Sequence, residues 1–385
     1  MDWFDDDLRD RRRRGLFRTR RRLRSAQGVY VRLGGRELLN FSSNDYLGLA
    51  CDRRLALAAA AAALRYGTGA GASPLVSGLL PPVRALERDL ARWEGTPAAL
   101  TFASGYAANL AVLSALAARG DAVFSDERNH ASLIDGCRLS RADVRVYRHG
   151  DLGHLADLLR THGPAARRRV VVSDSVFSMD GDFAPLAGLL DLAGRCDAVV
   201  LLDEAHATGV LGERGRGLSE LLPPGVRGGD RLVKVGTLSK ALAAQGGFVV
   251  GPRSLVRWLV NAARPYVFST ALAPPTAAAA RRAVAVVREE PQRRRHVLLL
   301  AEELRRRLRA FGADVGPSAC QIVPVVVGEA RAAVRLSRRL EAAGLLVPAI
   351  RPPSVAEGTA RLRVSLSAGH TAEDVERLAD ALRRG

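Results

Sequence analysis

Between about residues 98 and 250, short apolar, β-branched runs alternate with stretches of helical periodicity. The runs are Ala98–Phe102, Ala122–Phe124, Val144–Tyr147, Val170–Val172, Val199–Leu202, Leu232–Val235 and Phe248–Val250. Their alternation with helices predicts an α/β domain built on a mostly parallel, seven-stranded sheet. In such sheets ligands collect beyond the carboxyl ends of the strands. Polar residues stand at those ends: Ser104-Gly105-Tyr106, Asp203 with His206, and Thr237 with Lys240. After Pro274-Pro275 the pattern becomes a long alanine- and arginine-rich helical stretch from about 276 to 310. Strands over Ile322–Val327 and Ala360–Leu366 and helices over Arg331–Ala343 and Ala372–Leu382 follow. The expected organisation is an N-terminal segment at 1–44, a large α/β domain at 45–275 and a smaller α+β domain at 276–385.

Composition narrows the function classes. The longest apolar run, Leu55–Leu64, falls far short of the roughly 20 residues that a membrane-spanning helix needs, so no membrane partner is expected. No apolar segment follows the N-terminal arginines as it would in a secretory leader, which predicts a cytoplasmic protein. Cys51, Cys137, Cys196 and Cys320 are widely spaced, with no Cys-x-x-Cys pair, which argues against a metal site or a disulfide framework. The formal net charge of +18 raises nucleic acid as a partner. Against it, the arginines are spread over nearly every helical segment, no nucleic-acid motif is present, and only 5% of residues are aromatic and available for base stacking. No nucleic-acid partner is expected. A basic surface would equally help to capture an anionic substrate such as a coenzyme A thioester.

Two of the 58 basic side chains are lysines, so wherever a bare positive charge serves, this chain uses arginine. A retained lysine suggests chemistry open only to an amine that can lose its proton, Schiff-base formation foremost. Lys240, ending the segment Lys234–Lys240 before Gly246-Gly247, is the candidate; a surface lysine at a strand end is the plainer alternative. Lys234, inside an apolar stretch, fits a structural role better. Asp203 lies at the end of a buried strand, where a carboxylate can hold a buried cation. Asp203-Glu204-Ala205-His206 is also a helicase box, but neither lysine completes the phosphate loop that helicases need. Ser104-Gly105-Tyr106 opens a helix and so offers backbone N–H groups to a phosphate, or is simply a tight turn. His130, in a turn before a helix, could lie against a flat ring, or be a helix-start residue without a role.

Taken together, Asn40–Leu49, Phe102–Asn109, Val176–Asp182, Leu202–Val210 and Gly236–Lys240 resemble the α-oxoamine synthases, a family of fold-type I pyridoxal phosphate enzymes. The resemblance runs from about residue 25 to the end. Ala349–Val355 and Gly358–Arg363 resemble the branch that joins L-alanine to a pimeloyl thioester, carried by coenzyme A or by an acyl carrier protein, with loss of CO2. The resemblance implies pyridoxal phosphate as cofactor, with Lys240 as its Schiff-base lysine and mover of the α-proton. It also implies Asp203 on the pyridine nitrogen, His130 stacked on the ring, and His206 and Ser178 near the phenolic oxygen. Thr237, Gly105 and Tyr106 would lie at the phosphate, joined by Thr270 of a second subunit in a homodimer. Asn44 and Arg351 would hold the amino-acid carboxylate, and Arg20 would touch the acyl thioester. The family commonly has arginine where Pro74 stands, histidine near Val83, glutamate where Asp174 stands and glycine where Ala243 stands. None of these departures removes a group that the chemistry requires, but they leave the acyl preference open. Relatives that use glycine, of the glycine C-acetyltransferase or 5-aminolevulinate synthase type, are the nearest alternative. A non-catalytic, basic nucleic-acid-binding protein on the same fold is the distant one.

Overall fold

All seven apolar runs are strands of one sheet, extended by at most two residues at either end. In this computed structural model, which describes residues 2–14, 16–223, 226 and 228–384, their order from edge to edge is Ala98–Phe102, Gly247–Gly251, Leu232–Thr237, Ala198–Asp203, Arg169–Asp174, Ala122–Asp126 and Asp143–Tyr147. Six of them run in one direction; Gly247–Gly251 is antiparallel to both of its neighbours. The four inner parallel strands are almost wholly buried, which is why they read as continuous apolar runs rather than alternating ones. Register places Asp174 beside Asp203 and Asp203 beside Val235, so the polar residues line up along one edge.

The helix Gly105–Leu116 lies deep in the core with Leu100, Val123, Leu201, Val235 and Val249. Its sequence has no polar stripe because it has almost no solvent face. Ser104 caps it: the hydroxyl accepts from Ala107 N at 3.0 Å. Glycine is required where the chain doubles back on this helix start, because a Cβ on Gly247 would lie 2.5 Å from Ser104 O and 2.6 Å from Gly105 Cα.

The described residues form two compact units that differ from the three expected parts. The larger contains 45–178 and 182–296; the smaller contains 1–44, 179–181 and 297–385. The N-terminal segment thus belongs with the C-terminal region, and the division falls after His296 rather than after residue 275. The reason lies in strand pairing. Tyr30–Leu33 and Arg36–Asn40 form a hairpin over Gly34-Gly35, both at positive φ as a tight hairpin turn demands, and the parallel strand Leu345–Leu346 adds to it. Gly181 is drawn in by hydrogen bonds from Ala319 N and Cys320 Sγ to its carbonyl. The stretch expected as one long helix is two, Pro274–Glu289 and Gln292–Ala310, because Pro291 cannot continue the first. Ile322–Gly328, Ala360–Ser365 and Ala349–Ile350 form the second small sheet. Among the described residues no helix is long and apolar enough to cross a membrane.

Candidate active site

The parallel strands of the larger unit end in a cluster of ionisable groups. Asp203, the last residue of its strand, is buried and accepts from Asn109 Nδ2 at 2.6 Å and from Ala205 N at 2.8 Å. The 203 carbonyl is held by the backbone N–H and hydroxyl of Ser175. Yet Asp203 takes part in no ion pair among the described residues. A buried carboxylate without a cation is costly, and the site is therefore built to receive one.

His206, in the turn that follows, is buried between two partners. Its Nδ1 lies 2.6 Å from Tyr46 Oη and its Nε2 lies 2.9 Å from Lys240 Nζ. An amine and an imidazole at that distance are placed for a proton to pass between the two nitrogens. Lys240 is half-buried in the turn beyond the strand Leu232–Thr237. That turn is shaped by Leu238 N donating to Gly246 O, Ala244 N to Leu238 O and Thr237 Oγ1 to Gly246 O. It also holds Ala243 at φ 49°, a left-handed conformation that suits glycine and explains why glycine is usual there in the resembling family.

His130 caps the helix Ala131–Ser140, its Nδ1 2.7 Å from Ser132 Oγ, and its backbone N–H donates to Asp174 at 2.6 Å. Burial lowers the tendency of its imidazole to protonate, and Lys240 pushes the same way against Asp203, which leaves a neutral ring face. Asp174 is pushed well above the usual carboxylate range, first by burial and then by Asp203 beside it, although the His130 N–H and Lys240 oppose this.

A second group lies at the helix start. Gly105 and Tyr106 open the helix Gly105–Leu116, whose first-turn N–H groups have no partner within the helix. Thr237 closes in on them: a Cβ on Gly105 would sit 3.3 Å from its Cβ and Oγ1. The Tyr106 ring meets His130 edge-on at 6.4 Å, and its hydroxyl donates to Asp135. Ser178 lies in the turn closed by the Val176–Phe183 bridge.

Thr270 is exposed and lines a pocket with Pro74, Val83, Glu87 and Tyr266. Arg20, Asn44 and Arg351 belong to the smaller unit. Arg20 is exposed, and the Arg351 guanidinium donates to Phe17 O at 3.2 Å. The Asn44 amide oxygen accepts from Arg363, a buried guanidinium that also donates to Ser365 Oγ. Tyr46, Asn109 and Asp174 are the residues that sequence reasoning passed over as site members. Tyr46 and Asn109 lie inside the motifs that carried the resemblance, so their positions were in view without their contacts.

The groups fit pyridoxal phosphate. A protonated pyridine nitrogen supplies the cation that Asp203 lacks, Lys240 supplies the amine, and the helix start at Gly105 suits a phosphate. Asn109 Oδ1 is a further buried polar atom with no protein partner.

Comparison with known proteins agrees. The chain is 55% identical to the 8-amino-7-oxononanoate synthase of Anaeromyxobacter sp. (strain Fw109-5) over 99% of its own length and 95% of the relative's. It is 48% identical to the enzyme of that name from Methylobacillus flagellatus over 100% and 96%. Among solved structures, the serine palmitoyltransferase of Sphingomonas wittichii matches with a TM-score of 0.93 at 31% identity, covering 99% and 96%. The 8-amino-7-oxononanoate synthase of Francisella tularensis matches with 0.78 at 27%, covering 90% and 97%. The aminotransferase class I and II family matches residues 36–382. By both its fold and its full-length relatives, then, this chain belongs to the aminotransferase class I and II family, in the branch of the 8-amino-7-oxononanoate synthases.

Proposed function

We propose that this chain joins L-alanine to a pimeloyl thioester, of coenzyme A or an acyl carrier protein, releasing CO2, the free thiol and 8-amino-7-oxononanoate for biotin biosynthesis. The observation that carries the reading is Lys240 paired with His206, beside a buried Asp203 that has no cation of its own. Pyridoxal phosphate is the cofactor; when bound, it supplies an electron sink that stabilises negative charge at the α-carbon of an amino acid.

The chain's own residues do the rest. Asp203, oriented by Asn109, keeps the ring nitrogen protonated. Lys240 moves the α-proton, and His206, steadied by Tyr46, takes up or returns the proton on Nζ so that the amine stays available at neutral pH. The face of His130 would pack on the ring, and Ser178 would serve the phenolic oxygen. Gly105, Tyr106 and Thr237 hold the phosphate, with Thr270 of a second copy completing the site in a homodimer. Asn44, with Arg363 and Arg351, takes the substrate carboxylate, and Arg20 the thioester; a planar guanidinium fork is suited to the carboxylate task.

Thiol release measured with alanine, glycine and serine, each offered with pimeloyl-coenzyme A and pimeloyl carrier protein, tests the assignment. Alanine is expected to give the highest kcat/KM. A preference for glycine or serine would move the chain to another branch of the family.

A further inference from the structure

His149 stands outside the chemistry described above, yet it joins the two turns that carry His130 and Ser178. It follows the strand Asp143–Tyr147 and is half-buried. Its Nδ1 lies 3.0 Å from Asp126 Oδ1 and its Nε2 lies 2.8 Å from Asp182 Oδ2, while its ring sits edge-on to Phe177 at 4.3 Å. Asp126 begins the turn that ends at His130: its carboxylate also accepts from Arg128 N and Gly150 N at 2.9 Å each, and its carbonyl from Asn129 N. Asn129 in turn donates to Val172 O and accepts from Asp174 N, and Asp174 holds His130 N. Asp182 closes the other turn through Phe177 N donating to its carbonyl. Its Oδ1 is buried without a partner, so His149 is the group that satisfies this carboxylate.

We propose that His149 is a positioning residue: by bridging Asp126 and Asp182 it clamps the His130 turn to the Ser178 turn and so sets the width of the slot that receives the cofactor ring. The ring must be charged to donate from both nitrogens at once. Burial opposes that charge, but the hydrogen bonds and charges of Asp126 and Asp182 outweigh it and raise the imidazole from 6.5 to about 9. Glu127, which accepts from His149 N, adds negative charge, and Arg148, paired with Asp151, adds positive. The clamp is therefore fully closed below about pH 6.5 and opens as pH rises through 9.

The test uses His149→Gln and, to remove the buried unpaired carboxylate that this leaves, His149→Gln/Asp182→Asn. Loss of a charge-assisted bridge is expected to speed amide hydrogen exchange over 126–130 by roughly 10- to 100-fold in the cofactor-free protein and to speed release of pyridoxal phosphate similarly. Exchange in Pro274–Glu289 should stay at the parent rate. The circular dichroism of the bound cofactor should change through pH 9 in the parent and not in either variant. Parent-like exchange at 126–130 in the double variant, faster exchange throughout the chain, or a persisting transition near pH 9 would each overturn the proposal. It builds on the proposed function for its cofactor readouts. The exchange measurement needs neither cofactor nor turnover, so failure of the alanine reaction would leave the clamp standing.

Discussion

Strand Leu232–Thr237 carries one lysine within it and presents the other just beyond its end, and the two have opposite surroundings. Lys234 is buried against a carboxylate: its Nζ donates to Glu94 Oε2 at 2.5 Å and to Arg216 O at 2.8 Å. Glu94 is wholly enclosed, and burial pushes its carboxyl upward while Lys234 pulls it back. Lys240 is only half-buried, and its Nζ lies 2.9 Å from the imidazole Nε2 of His206. A carboxylate fixes an ammonium in its charged form, whereas an imidazole can take the proton away. The same side chain thus meets a buried carboxylate at one position and an imidazole at the other.

This contrast can be broken most directly at Lys240. Lys240→Ala should lower kcat for thiol release by at least about 1,000-fold, the range expected when a positioned proton carrier is lost, with the thermal midpoint near that of the parent. Substitution at Lys234 should do the reverse. Lys234→Met leaves Glu94 buried alone and should destabilise the fold by about 3–5 kcal/mol in urea titrations, while the folded fraction keeps the absorbance of bound cofactor. Lys234→Met/Glu94→Leu should recover most of that loss; a cofactor defect in this double variant would refute the division of labour. A smaller effect is expected from Tyr46→Phe, which removes one hydrogen bond from His206. It is worth about 0.5–1.5 kcal/mol, read as a modest fall in kcat with the KM for alanine little changed. Smallest is Ala243→Gly, which should relieve a left-handed alanine and raise stability by about 1 kcal/mol, measured by the same titration.

The large sheet was legible because strands buried on both faces must be apolar along their whole length, and such runs stand out between helices. The small hairpin was not, although Gly34-Gly35 between Tyr30–Leu33 and Arg36–Asn40 is a recognisable turn signal. Its strands mix exposed and buried positions, and one partner, Leu345–Leu346, lies some 300 residues away, beyond the reach of any local pattern. The break at Pro291 was readable from the residue itself. At the site, Lys240, Asp203, His130 and His206 could be picked out as unusual residue types at strand ends. The Tyr46–His206 and Asn109–Asp203 contacts could not, since each joins residues distant in the chain.

Composition and periodicity alone thus establish the seven strands of the large sheet, the polar residues at their ends, and that lysine is kept at two positions in a chain that otherwise uses arginine. Those properties are local: they follow from side-chain type and from the two-residue and 3.6-residue repeats. What surrounds each lysine, that Asp174 and Asp203 lie side by side, and that His149 ties two turns together emerge only in the folded chain. Protonation depends on burial and on neighbours a few ångströms away, and both are created when strands far apart in sequence are laid side by side.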